Sequence, residues 1–174
     1  MISTSVPRLA RIITSRSLLL GAAAFLLLAC EGAESDEGKS ETAPAKAAVA
    51  EPEFIQAASG PDRPFSPAVR ANGFLILSGQ IGTDSTGNLV TGGIKPETKQ
   101  TMENIKRVLA QNGSSMDRVV KCTVFLADMK EWGTVNEIYV TYFNPARRPA
   151  RSAMGANGLA LGSQVEIECL AVDR

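Results

Sequence analysis

An open α+β sheet with two helices on one face is the fold class this sequence predicts, on three observations. Short β-branched or apolar runs alternate with two stretches of helical periodicity, clusters of Gly, Asn and Pro punctuate them, and the order along the chain is ββαβαββ without repeats. A hydrophobic content of 44% over 174 residues suits one ordinary core.

The first two strands are Ala68–Ala71 and the apolar run Phe74–Ser78, with Asn72-Gly73 between them as a hairpin turn. Residues 84–93, with three Gly and one Asn, read as loop. The first helix is expected over Pro96–Asn112: Pro96 suits the first turn, Glu97 sits at the positive end of the dipole, and Gly113 stops it. Ile94, Thr98, Met102, Ile105 and Leu109 form the stripe that should cover the sheet. Val119–Leu126 has the β-branched, breaker-free content of a central strand. Asp128 and Glu131 form a capping-box pattern for a second helix, whose buried face takes Val135, Ile138 or Tyr139, and Tyr142 before Pro145 ends it. Two further strands lie around Arg151–Ala156 and Gln164–Val172. A sheet covered on one side only leaves its other face bare, and self-association is the natural cover.

The N-terminus has a different character. Arg8, Arg11 and Arg16 precede an unbroken apolar run from Leu18 to Ala29, shorter than the ~20 residues a membrane span takes. This is the pattern of a secretory signal. Leu27-Leu28-Ala29-Cys30 resembles the lipobox of bacterial lipoproteins, which implies a signal peptide over 1–29 and a lipid on Cys30. Leu28 is a less usual residue at its place in that motif. Glu31 rather than Asp follows Cys30, which points to the outer membrane, periplasmic side, rather than the inner one. Residues 30–53 are rich in Glu, Ala, Ser, Lys and Pro and read as a disordered acidic tether, with the domain proper over 54–174.

Cys122 and Cys169 stand in apolar strand-like runs and read as free cysteines acting as small hydrophobes, with a disulfide between them possible but not expected. The sequence contains no histidine, which excludes Ser-His-Asp and Cys-His nucleophile systems, H-E-x-x-H zinc sites and imidazole bases. No metal or cofactor is expected. The formal charge of zero divides unevenly, but residues 54–174 carry thirteen basic and eleven acidic side chains without a basic block, so no nucleic acid is expected as a partner.

Chemistry must therefore rest on carboxylates, Arg, Tyr, hydroxyls or backbone. Pro149-Ala150-Arg151-Ser152 and Val165-Glu166-Ile167-Glu168 are the most informative pair of segments. Arg is a rigid fork matched to a carboxylate, and Glu in an apolar strand is costly without a purpose or a partner. Alternation puts Glu166 and Glu168 on one face of their strand. Spacing alone favours an Arg–Glu pair bracing neighbouring strands.

The pattern Pro-Ala-Arg-Ser followed after fifteen positions by Glu166 in Val-Glu-Ile-Glu resembles the C-terminal signature of the RidA (YjgF-type) family. Further matches run through Leu77-Ser78-Gly79-Gln80-Ile81-Gly82, Glu103-Asn104-Ile105-Lys106, residues 119–128 and Thr134-Val135-Asn136-Glu137-Ile138-Tyr139, so that the resemblance spans residues 64–174. It implies a chorismate-mutase-like fold, a homotrimer with clefts between subunits, and cofactor-independent deamination of 2-imino and enamine acids to 2-keto acids and ammonia. Arg151 matches the arginine that grips the substrate carboxylate, Glu166 the acid that positions the attacking water, and Gly79 and Asn136 positions that line the cleft.

Two departures bear on substrate range. The family's Gly-Pro-Tyr segment has no match, since Pro64-Phe65-Ser66-Pro67 occupies that region, and Ala153 stands where a cysteine is frequent. Two other functions compete. A non-catalytic member would bind small carboxylates or other proteins through the same Arg151, and an RNA-cleaving member is disfavoured by the missing histidine, the near-neutral domain and export.

Overall fold

The computed structural model describes residues 50–56 and 63–173. The signal segment 1–29, Cys30 and nearly all of the expected tether lie outside the described residues.

One sheet of seven strands forms the domain. Its strands are β1 (Glu53–Ile55), β2 (Ala68–Ala71), β3 (Phe74–Leu77), β4 (Gln80–Ile81), β5 (Val119–Leu126), β6 (Ala150–Gly155) and β7 (Val165–Val172). Helix α1 (Ile94–Gln111) separates β4 from β5, and α2 (Trp132–Tyr139) separates β5 from β6. Spatial order is β1-β2-β3-β7-β5-β6, with β4 pairing β7 beyond the end of β3. All pairings are antiparallel except β5 with β6, the pair that α2 connects. The expected ββαβαββ order thus holds at the level of long elements, and β1 and β4 are additions to it.

Local chemistry accounts for the elements. Asn72 and Gly73 both adopt positive φ, 49° and 77°, which matches the twist of the β2–β3 hairpin. In α1, Thr98, Met102, Ile105 and Leu109 are fully buried, while Ile94 is half-buried. They pack on Leu75, Leu77, Val124, Leu126, Val165, Ile167 and Ala171, the helix-facing residues of β3, β5 and β7. Burial of each large side chain here stabilises by about 1.5–3 kcal/mol.

One expectation about the helices needs correction. Asp128 accepts from the Lys130 amide at 2.9 Å, but the element it caps is a 3₁₀ turn over Met129–Glu131, and α2 begins only at Trp132 without a side-chain cap. The hydrogen bond closes after two residues, too early for a capping box. Glu53 opens β1 and pairs with Arg70, whose guanidinium also meets Asp173 at 2.7 Å and donates to the Asn112 carbonyl at 3.0 Å. That arginine ties the first strand, the end of α1 and the C-terminal end of β7 together.

Against the expectation of free cysteines, Cys122 and Cys169 are disulfide-bonded. They are register partners on β5 and β7, both face the helices, and their Cα atoms are 4.1 Å apart. Two central antiparallel strands with cysteines directly opposite bring the sulfurs together without rearrangement.

Candidate active site

Glu166 lies on the sheet face that the helices leave bare. Strict alternation on β7 buries Val165, Ile167, Cys169 and Ala171 under the helices and turns Glu166, Glu168 and Leu170 the other way. The register sets Glu166 beside Phe125 and Ile81, and Glu168 beside Thr123. Glu166 and Glu168 therefore share a face, as alternation predicts. Burial raises the Glu166 pKa above its ordinary value of 4.5, and the Glu168 carboxylate adds to the rise.

Gly79 is what lets this carboxylate sit where it does. A Cβ at that position would collide with Oε1 of Glu166, so any side chain would displace the acid. The break between β3 and β4 falls at Ser78-Gly79, where Ser78 is held by its hydroxyl on the Ser66 carbonyl and by its amide on the Pro67 carbonyl.

Two buried polar residues of α1, which sequence reasoning did not single out for the site, hold this neighbourhood. Glu97 is 3% exposed, and its carboxylate accepts from the Gln164 amide at 2.6 Å and from the Val165 amide at 3.4 Å, at the start of β7. Asn104 donates to the Ile81 and Thr83 carbonyls, both at 2.9 Å, and so pins β4 beside Glu166. Expected only to meet the helix dipole, Glu97 instead fixes the strand that carries the acid. The sequence signal was a Glu and an Asn on the apolar stripe of α1.

Arg151 lies on the other side of the sheet. It is on β6, an edge strand, and its register partner on β5 is the helix-facing Cys122. Its guanidinium carbon sits 4.7 Å from the centre of the Tyr139 ring on α2. No carboxylate or carbonyl among the described residues pairs with it. Asn136, one helical turn before Tyr139, keeps a buried Oδ1 without a hydrogen bond, and the buried Tyr139 hydroxyl lacks one too. Burial pushes the Tyr139 phenol up to about 12, against the pull of Arg151.

Within one chain, then, the residues separate into two groups. Gly79 and Glu166 are together on the bare face, whereas Arg151 and Asn136 are near Tyr139 on the helix side. The β5 partners of Arg151 and Glu166 are three residues apart, an odd number, which fixes the opposite orientation. The bracing ion pair that spacing favours does not form. The bare face carries a depression of about 100 Å³ lined by Ile76, Lys121, Thr123, Glu168 and Leu170, below the ~300–1,000 Å³ of ordinary ligand sites.

Comparison with known proteins supplies context for this arrangement. The family model described as endoribonuclease L-PSP matches residues 55–173. The mouse 2-iminobutanoate/2-iminopropanoate deaminase is 48% identical over 110 residues, covering 63% of this chain and 81% of that protein. The human protein of the same name is 44% identical over 116 residues, covering 66% and 84%. Among solved structures, yeast Mmf1 superposes with a TM-score of 0.66 at 35% identity, covering 71% of this chain and all of that one. A Rid family protein from Yersinia pestis gives 0.66 at 38% identity, covering 70% and 99%.

Proposed function

The chain belongs to the RidA/YjgF family, and from that premise we propose that it hydrolyses 2-imino and enamine acids to 2-keto acids and ammonia at clefts between the subunits of a homotrimer. The observation that carries the reading is the separation just described. Arg151 sits at an open sheet edge with no protein anion, while Glu166 stands on a bare face with a raised pKa. A 2-imino acid has its carboxylate one bond from the imine carbon, so the group that grips the first and the group that activates water on the second must be close. Opposite faces of one sheet forbid that within a chain. An edge from one copy laid on the face of another permits it.

In that cleft the Arg151 fork binds the substrate carboxylate bidentately, which holds the imine carbon before a water hydrogen-bonded to Glu166. Glu166 takes a water proton as the C–O bond forms and passes it to the nitrogen, then carries the proton of the new hydroxyl the same way as the C–N bond breaks, leaving ammonia and a 2-keto acid. A carboxylate with a raised pKa is a better base for this than an ordinary one. Gly79 gives Glu166 its place, and Asn136 Oδ1 offers an acceptor to a substrate N–H.

The test compares Arg151→Lys and Glu166→Gln with the wild type, measuring imine hydrolysis, 2-oxobutanoate affinity and Tm. Arg151→Lys keeps the charge and loses the fork, so affinity should fall about tenfold or more, corresponding to about 1.4 kcal/mol. Glu166→Gln should keep affinity and lose at least 100-fold in kcat. Full activity of Glu166→Gln would overturn its role.

The location of the protein belongs to the same reading. We infer export and lipid anchoring at Cys30 from the Arg-flanked apolar run that ends there, and the Cys122–Cys169 disulfide supports an oxidising compartment. Among the described residues no helix is long and apolar enough to cross a membrane. Metabolic labelling with a fatty acid should mark the wild type and miss Cys30→Ala; equal labelling of both would refute the anchor.

A further inference from the structure

Arg151 has an unusual neighbour for a residue that must hold an anion. Cationic side chains on edge strands ordinarily settle on a nearby carboxylate, which fixes their orientation but occupies their N–H donors. Here the partner is the face of an aromatic ring, 4.7 Å from the guanidinium carbon. Such a ring attracts the cation through its quadrupole and accepts none of the in-plane hydrogen bonds.

We propose that Tyr139 is the positioning residue for Arg151, its ring holding the guanidinium at the edge of β6 while every N–H donor stays available to a substrate carboxylate. The inference rests on the deaminase reading above and goes beyond it, to a residue that need not touch the substrate.

The ring is itself fixed. Tyr139 is 3% exposed, Phe143 packs against it with ring centres 4.8 Å apart at 46°, and Val135, one turn earlier on α2, is fully buried. Phe143, Tyr139 and Arg151 thus form a stack that starts in the core and ends at the sheet edge. A long side chain pre-ordered in this way loses less freedom on binding an anion than one free in solvent. The hydroxyl plays no part, for it is buried without a hydrogen-bond partner. A residue that only filled the core would serve as well with an aliphatic side chain.

Three variants of the full chain separate these roles. Tyr139→Phe keeps the ring, Tyr139→Leu removes it, and Val135→Ala loosens the same helix without touching Arg151. Steady-state hydrolysis of 2-iminobutanoate generated in situ gives KM and kcat, calorimetry gives Kd for 2-oxobutanoate, and Tm reports folding. Tyr139→Leu should raise KM and Kd together by about tenfold with kcat within about threefold. Tyr139→Phe should stay within about twofold of the wild type in both. Val135→Ala should lower Tm with KM unchanged.

Unchanged KM and Kd in Tyr139→Leu would overturn the proposal and leave Tyr139 a core residue. An equal rise in Tyr139→Phe would also overturn it, by assigning the effect to the hydroxyl. If the wild type binds 2-oxobutanoate but hydrolyses no imine, the deaminase reading falls and the Kd series still decides Tyr139. If it does neither, both fall.

Discussion

At the scale of single residues, the absence of histidine leaves carboxylates as the candidate acids and bases of this chain. Glu166 and Glu168 share one strand face with Gly79 packed against the first, and burial, with the Glu168 charge after it, raises the Glu166 pKa from its ordinary value of 4.5. The acidic limb of the kcat/KM profile should therefore lie above pH 4.5, and Glu168→Gln, which removes the like charge, should move it to lower pH. An acidic limb that did not respond to Glu168 would separate the two groups. Stability follows with a definite sign. Because the folded state holds this proton more tightly than the unfolded chain, stability falls as pH rises from 4.5 through the raised value and stays lower above it. Glu166→Gln should accordingly melt at or above the wild-type temperature at pH 7, with the difference vanishing below pH 4.5. The carboxylates were legible in sequence because a charge in an apolar strand needs a reason; Tyr139 was not, because an aromatic on the buried stripe of a helix reads as core.

At the scale of elements, legibility followed length and periodicity. β5 was expected over Val119–Leu126 and found there, since eight residues without a breaker admit one reading. β1 and β4, at three and two residues, carry no periodicity, and each exists through tertiary partners: Arg70 for β1, Asn104 for β4. The disulfide escaped for a related reason. Alternation places Cys122 and Cys169 on inward faces, but only the β5–β7 register puts them opposite each other across a sequence separation of 47. Cross-linking that loop constrains the unfolded chain and should contribute about 2–4 kcal/mol. The double substitution Cys122→Ala with Cys169→Ala is expected to lower Tm on the order of 10 °C in calorimetry, and added reductant should lower the wild type but leave the double variant unmoved. A wild type indifferent to reductant would show that the bond contributes nothing.

At the scale of the whole molecule, the sheet face that carries no helix among the described residues is the fact that organises the rest. It exposes Phe54 by 63%, Ile76 by 46% and Met154 by 46%, with Phe74 and Val172 paired across β3 and β7. So many apolar side chains on one sheet are costly in water and mark an association surface. The same face holds Glu166, and the edge beside it holds Arg151, so association would cover the apolar residues and complete the site in one step. Homotrimerisation is therefore expected of the protein, measured by sedimentation equilibrium at micromolar concentration. Ile76→Lys, which places a charge in the middle of the face and touches neither Arg151 nor Glu166, should produce monomers that retain the circular dichroism of the fold and lose imine hydrolysis. Activity that survived in such monomers would contradict the shared cleft, because a single chain keeps its arginine and its glutamate on opposite sides of one sheet.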